Sequence, residues 1–303
     1  MIRARLLALA APFLLALASP AGALALNINE EYKPQNEFKL DPWISIEIGP
    51  IDLSINKAVF YVLVACTLTI VVMLMISRRM THIGRPGYMQ TIVEGYYGLI
   101  ENITRGNLSG AMVRKWFPFL ATVFLFIWFS NMLGYLPLPT NTEHKVDIFG
   151  LEVPSLALYA ATANLSVPLI LTFIVVGSYH YEGIKAKGLV KYLKGWIPAG
   201  VEGPARFPIF LIEVISHFVR IVSLSVRLFA NILAGHLLIL FMGGGLVVLL
   251  NLAVFGSVIL GLVTGTMAVA FFIFEVGLVA TLQAFIFTTL AAIYLGGAVA
   301  EEH

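Results

Sequence analysis

The chain has 303 residues, of which 59% are hydrophobic and only 12% charged, with a formal net charge of +2 and a mean hydropathy of +0.90. Soluble domains are about half apolar and a quarter charged, so this is a polytopic membrane protein, and the small net charge without a basic aromatic run excludes nucleic acid as a partner. The single cysteine, Cys66, lies in an apolar segment, which rules out an internal disulfide or cysteine metal cluster and leaves it as a small buried hydrophobe.

At the N-terminus, Arg3 and Arg5 precede the apolar run 6–18, and small residues then offer cleavage after Ala23 or Ala25. Residues 1–25 thus read as a signal peptide or, alternatively, an uncleaved N-terminal anchor, the run being shorter than the ~20 residues of a full span. Either way residues 26–57 are exported. That segment is polar and broken by Pro34, Pro42 and Pro50, with Trp43 as an interfacial anchor. The membrane domain is expected over 58–303, with a first span at 58–76 that ends before Arg78 and Arg79. Residues 88–105 mix Glu94, Glu101 and Arg105 among Ile92, Val93, Tyr96, Leu99 and Ile100. Those charges forbid a comfortable crossing and predict an amphipathic helix on the membrane surface.

The second span is expected at 116–136, with Asn131 near its far end and Pro137 and Pro139 behind it. Residues 140–155 read as a short polar loop, and 156–179 as a third span that carries Thr162, Asn164 and Ser166 ahead of Pro168. The connection 182–206 holds Lys185, Lys187, Lys191, Lys194 and Arg206. Two long apolar stretches follow, 207–242 and 246–299, parted by Gly243, Gly244 and Gly245. As one helix the first would reach about 50 Å against a hydrocarbon core near 30 Å. The expected fold is therefore an all-α polytopic membrane protein with about five transmembrane helices and one interfacial amphipathic helix, the last two spans forming a long tilted hairpin. Excess positive charge in the connections 78–115 and 182–206, against an acidic segment between, places both basic connections and the C-terminus in the cytoplasm and the N-terminus outside.

The most informative stretch is 207–242, because it buries Glu213, His217, Arg220, Arg227, Asn231 and His236 among apolar residues. Ionisable groups at bilayer depth are costly, and they mark functional sites. Glu213, Arg220 and Arg227 recur every seven residues, and Asn231 follows by four, which puts all of them near one helix face. Three readings compete: Arg227 guards a proton or cation path; the chain is an ion-coupled secondary transporter with a midplane arginine site; or the arginines are structural. Glu213 can pair with Arg220, whereas Arg227 has no acid three or four residues away. A transporter of that kind expects two related halves with broken helices, and no internal repeat is visible.

The final run adds Glu275, Thr281 and Gln283. Glu275 has no basic neighbour at helical spacing, so it needs water, a proton or a partner, which suits a group that passes protons. His236 lies nine residues after Arg227, half a turn round the helix. Facing the final helix it can pair with Glu275 as a relay, the alternative being a hydrogen-bonded packing residue. Gly261 and Gly265 form a small-residue pair that permits close packing. No phosphate loop, nucleophile elbow or metal-ligand spacing is present, so no cofactor or metal is expected, nor nucleotide catalysis by this chain itself.

Four ordered segments, SLSVRLFANILAGH (223–236), TLQAFIFTTLAAIYL (281–295), FSNMLGYLPLP (129–139) and ATANLS (161–166), together with the ending EEH, resemble subunit a of the F-type ATP synthase, over roughly residue 43 to the C-terminus. The resemblance implies the proton-conducting stator of a rotary machine in a bacterial inner membrane, with the c-ring, the b/b′ peripheral stalk and membrane lipids as partners and H⁺ as the transported ion. It makes Arg227 the essential charge facing the c-ring carboxylates, between two aqueous half-channels. Asn231 and Gln283 would neighbour it, His236 and Glu275 would belong to the outer half-channel, and Glu213 to the cytoplasmic one. Arg220, Asn131 and Asn164 are secondary candidates. One departure stands out: Glu275 precedes Gln283 by eight residues where the family spacing is seven. Either the helix carries a local π-bulge, or Glu275 acts from a rotated position.

Overall fold

A computed structural model describes residues 40, 42–48, 51–52, 54–79, 87–148, 151–157, 159–197, 203–246 and 254–300. The expected signal or anchor segment, much of the exported segment and the final EEH lie outside the described residues. Among the described residues five helices are long and apolar enough to cross a membrane: Lys57–Arg78, Gly110–Gly134, Ser166–Lys187, Gly203–Gly244 and Gly256–Val299. The fold is the expected all-α polytopic one. It divides into two compact units, one of residues 40–233 and 278–303, the other containing 234–277.

The larger unit begins with four short strands, β1 (Pro42–Ile44), β2 (Glu47–Ile48), β3 (Ile51–Asp52) and β4 (Ile55–Asn56), paired β1 with β4 and β2 with β3. They lead into α1 (Lys57–Arg79), whose start is capped by Asn56 Oδ1 accepting from the Val59 N–H at 3.1 Å. Within α1 the Thr67 and Thr69 hydroxyls turn back onto the carbonyls of Leu63 and Ala65. In hydrocarbon that arrangement satisfies a hydroxyl that water cannot reach. The helix α2 (Tyr88–Asn107) matches the expected amphipathic segment with one more half-turn, burying Ile100, Ile103 and Thr104 and exposing Tyr88, Met89 and Ile92. It packs on α3 (Gly110–Gly134), where the Tyr96 hydroxyl donates to the Ala121 carbonyl at 2.7 Å. Burial pushes the Tyr96 hydroxyl up, which keeps it a neutral donor.

Two expectations need correction beyond α3. Residues 140–155 are not a loop: β5 (Leu138–Ile148) and β6 (Leu151–Ala157) form an antiparallel hairpin, with Val146 opposite Val153 and Ile148 opposite Leu151. The third span is not 156–179 but α4 (Ser166–Lys187), because the strand and a 3₁₀ turn, Ala161–Ala163, take up its expected first ten residues. The cause is local. Asn164 Oδ1 accepts the Ser166 N–H at 3.0 Å, a turn that competes with helix, and Pro168 then sits in the first helical turn, where its missing N–H costs nothing. At the other end α4 runs through Glu182 because Lys115 of α3 pairs with that carboxylate. It stops at Gly188, whose φ of +78° ends the helix.

A short helix, α5 (Leu189–Lys194), precedes α6 (Arg206–Leu240). At 35 residues, α6 rises about 52 Å, well beyond the ~30 Å hydrocarbon core. The chain returns to this unit as α7 (Ala280–Val299), which packs on α2, α3 and α4. Its buried face is Ala280, Ala284, Phe287, Ala291, Ala292 and Leu295, a helical period of mostly small residues that lets backbones approach closely. The approach is closest at Gly296, where any Cβ would collide with the Asn107 carbonyl oxygen of α2. At Gly134 a Cβ would fall 2.8 Å from the Ala160 Cα.

The smaller unit contains the end of α6, a π turn at Phe241–Gly245 on the glycine run, and the helical segment Val254–Phe274, which packs on that turn. A second π segment, Glu275–Val279, joins Val254–Phe274 to α7. The residues that would close the expected hairpin, 247–253, lie outside those described.

Candidate functional site

In the larger unit α6 carries the polar stripe at the expected helical period. Arg220 Nη2 lies 3.4 Å from Glu213 Oε1, so these two form the ion pair their spacing allows. Arg220 is also held over the Tyr294 ring of α7, 5.1 Å from its centroid. Arg227 differs. It is exposed, it donates a 3.4 Å hydrogen bond to Ser223 Oγ one turn back, and no carboxylate among the described residues lies within ion-pair distance of it. Asn231, one turn on, is exposed as well. A shallow groove beside Arg227 is lined by Leu224 and Leu228 from α6 and by Gln283, Ile286, Phe287 and Leu290 from α7. Gln283 is buried. α6 also exposes Leu211, Ile215, Phe218, Val222 and Val226, which lie about 100° or more round the helix from Arg227 and form a separate apolar face.

Sequence spacing did not reveal a second cluster, at the α4 end of the stripe. His217 lies one turn after Glu213 and is buried, with Nε2 3.8 Å from Glu213 Oε1. Its Nδ1 shares a 2.8 Å hydrogen bond with Tyr179 Oη of α4. The adjacent His180 uses its own Nδ1 for a 2.8 Å bond to Tyr192 Oη of α5. Trp196 packs on the His217 ring at 4.4 Å. Burial pushes the Tyr192 hydroxyl up, which keeps it neutral beside His180. Only the four-residue interval from Glu213 to His217 hinted at this cluster; the partners come from elements 38 residues apart in sequence.

Asn131 and Asn164 occupy structural positions. Asn131 is fully buried; its Oδ1 accepts from Thr162 Oγ1 at 2.7 Å and its Nδ2 donates to the Ala280 carbonyl at 3.4 Å. Ala280 is the residue at which α-helical geometry resumes after the π segment. Nearby, Trp128 Nε1 donates to Thr281 Oγ1 at 3.2 Å. Asn164 sets the turn before α4 and bonds the Tyr159 hydroxyl; burial pushes that hydroxyl up to about 12 and the Asn164 bond pulls it the other way.

In the smaller unit His236 and Glu275 are both buried. The Glu275 carboxylate rests against the backbone of Gly235, the residue before His236: a Cβ at Gly235 would lie 2.6 Å from Oε1. Glycine is required there to let a carboxylate come so near the helix. Glu275 opens the π segment. A π turn takes up one extra residue, which is the register difference between an interval of eight and one of seven.

Comparison with known proteins gives one family. The profile of the ATP synthase A chain matches residues 59–296. ATP synthase subunit a of Rubrobacter xylanophilus is 33% identical over 262 residues, 86% of this chain and 90% of that protein. The corresponding subunit of Parvibaculum lavamentivorans is 34% identical over 277 residues, covering 89% and 94%. That of Paramagnetospirillum magneticum is 32% identical over 267 residues, covering 88% and 98%. With a profile match over most of its length and relatives of this identity and coverage, the chain belongs to the ATP synthase A chain family.

Proposed function

We propose that this chain is the proton-conducting stator of a rotary ATP synthase, offering two aqueous half-channels to a c-ring and separating them with the fixed charge of Arg227. The observation that carries the proposal is the exposed Arg227 in a helix long and apolar enough to cross a membrane, with no acid to meet it among the described residues. A guanidinium does not neutralise itself, and leaving it bare in hydrocarbon costs several kcal/mol, so another chain must supply its counter-charge. A carboxylate on a passing ring answers that need. Beside Arg227 it is held ionised, so the ring releases its proton there, and the same charge keeps protons from crossing directly between the half-channels. Asn231 and Gln283 flank this meeting point, the latter across the groove. His236 and Glu275 serve the outer half-channel, and Glu213, paired with Arg220, the cytoplasmic one. Nucleotide chemistry belongs to other subunits, and the b/b′ stalk holds this one still. Membership of the ATP synthase family leaves the secondary-transporter reading without support.

The test compares wild type with Arg227→Ala in inverted membrane vesicles that carry the whole complex. Coupled ATP-driven pumping is expected to vanish with the complex assembled, while passive proton leak persists or rises. Unchanged coupled pumping would return Arg227 to a structural role and overturn the proposal.

A further inference from the structure

The arginine gate makes no use of the cluster around His217, yet that cluster has the parts of a proton relay. His217 is buried and its Nε2 has no hydrogen-bond partner among the described residues. An unsatisfied buried nitrogen is costly, so its presence asks for a reason. The nitrogen faces a carboxylate, Glu213 Oε1, at 3.8 Å. Catalytic hydrogen bonds are often this long at rest and tighten only when a proton moves. The other nitrogen is committed to Tyr179 Oη, which orients the ring and links its protonation to a neighbour.

The surroundings define the charge balance. From its own helix His217 meets Glu213 and Arg220; from α4 it meets Tyr179 and, at 4.9 Å between rings, His180. From α5, Tyr192 holds His180, and from α7, Tyr294 lies 6.0 Å from Tyr179 and beneath Arg220. Among these described groups Glu213 is the sole anion, and Arg220 already pairs with it. A second positive charge on His217 therefore finds no counter-charge of its own, and a proton that reaches the ring does not stay. His180 is only half-buried, and Tyr192 belongs to the lysine-bearing connection, so the cluster leads from the Glu213 carboxylate toward solvent.

We infer that His217 is a proton-transfer residue of the cytoplasmic half-channel, taking a proton at Nε2 from the protonated Glu213 carboxyl and passing it to water. The Glu213 O–H bond breaks as the Nε2–H bond forms. Glu213 returns to the carboxylate that pairs with Arg220, and the imidazolium then gives up one proton to water and is restored to its neutral ring. In the reverse direction of pumping the same steps run backwards. The inference rests on the rotary reading above.

ATP-driven pumping by inverted vesicles bearing the whole complex tests it, between about pH 4.5 and 8.5, a window that spans the ordinary histidine range and reaches below it. With equal amounts of assembled subunit, His217→Gln is expected to pump about a hundredfold more slowly than wild type, the low end of what a lost acid–base group costs. It should also lose the histidine-range part of the pH profile. Tyr179→Phe keeps the ring but removes its Nδ1 partner, and should displace the profile with a smaller loss of rate. A His217→Gln variant with the wild-type rate and profile overturns the relay, as does a loss equal at every pH and proportional to the amount of subunit assembled. If that variant does not assemble, Tyr179→Phe decides, and an unchanged profile there overturns the inference. Arg227→Ala is run alongside. Should it still pump, the rotary reading fails and the relay with it; should it stop pumping while His217→Gln behaves as wild type, the relay alone fails.

Discussion

Asn131 and Thr162 are both fully buried, and the 2.7 Å bond between them joins the end of α3 to the 3₁₀ turn before α4. The Asn131 Nδ2 donates to the Ala280 carbonyl, so one side chain ties three elements together around the start of α7. Replacing it with leucine preserves volume but strands the Thr162 hydroxyl in an apolar setting. Asn131→Leu should therefore cost about 1–3 kcal/mol, seen as an earlier release of this subunit when the purified complex is heated. An unchanged release temperature would mean that the two bonds contribute nothing net. Asn131 stood out in the sequence as a polar residue in a span, but its partners did not, since Thr162 is 31 and Ala280 149 positions away. Glu213, Arg220 and Arg227 were legible together because they share one helix, whose period turns spacing directly into a face. The His180–His217 contact was not legible, for it depends on how α4 packs against α6.

At the scale of elements, apolar length located five spans and helical period located the surface helix. What length could not resolve was the start of α4, because a short apolar run is compatible with strand or helix alike. The hairpin and the Asn164 turn decided that. The π segment Glu275–Val279 is the other feature that periodicity leaves open, since only a family spacing makes an extra residue visible. It leads to a sharp test. Gly277 lies inside the π segment, and a Cβ there would meet nothing within 4 Å. Deleting Gly277 leaves Glu275 seven residues before Gln283, so an ordinary α-helical turn can replace the π turn. If the wide turn exists only to absorb that residue, the shortened chain should assemble and pump at close to the wild-type rate. If Glu275 works from a rotated position instead, the deletion turns it by about 100° and pumping should collapse with the complex assembled.

For the molecule as a whole, charge predicts a sidedness that can be tested. Arg78, Arg79, Arg85, Arg105, Arg114 and Lys115 cluster around the connection from the first span to the second, and Lys185, Lys187, Lys191, Lys194 and Arg206 around the connection from the third span to the fourth. The hairpin between α3 and α4 carries Glu143, Asp147 and Glu152 against Lys145. A positive-inside arrangement would put α5 and the His217 end of the polar stripe in contact with the cytoplasm and the β5–β6 hairpin outside. The direction of proton flow assigned to Glu213 depends on this orientation. Labelling can measure it directly, because Cys66 is the sole cysteine and lies within α1. On a Cys66→Ala background, Thr142→Cys and Lys191→Cys each place one thiol in one of the two connections. A membrane-impermeant maleimide should label Thr142→Cys in right-side-out vesicles and Lys191→Cys in inverted ones, with little labelling in the opposite preparations. The reverse pattern would turn the whole membrane domain over. Glu213 and His217 would then serve the outer half-channel, and His236 with Glu275 the cytoplasmic one.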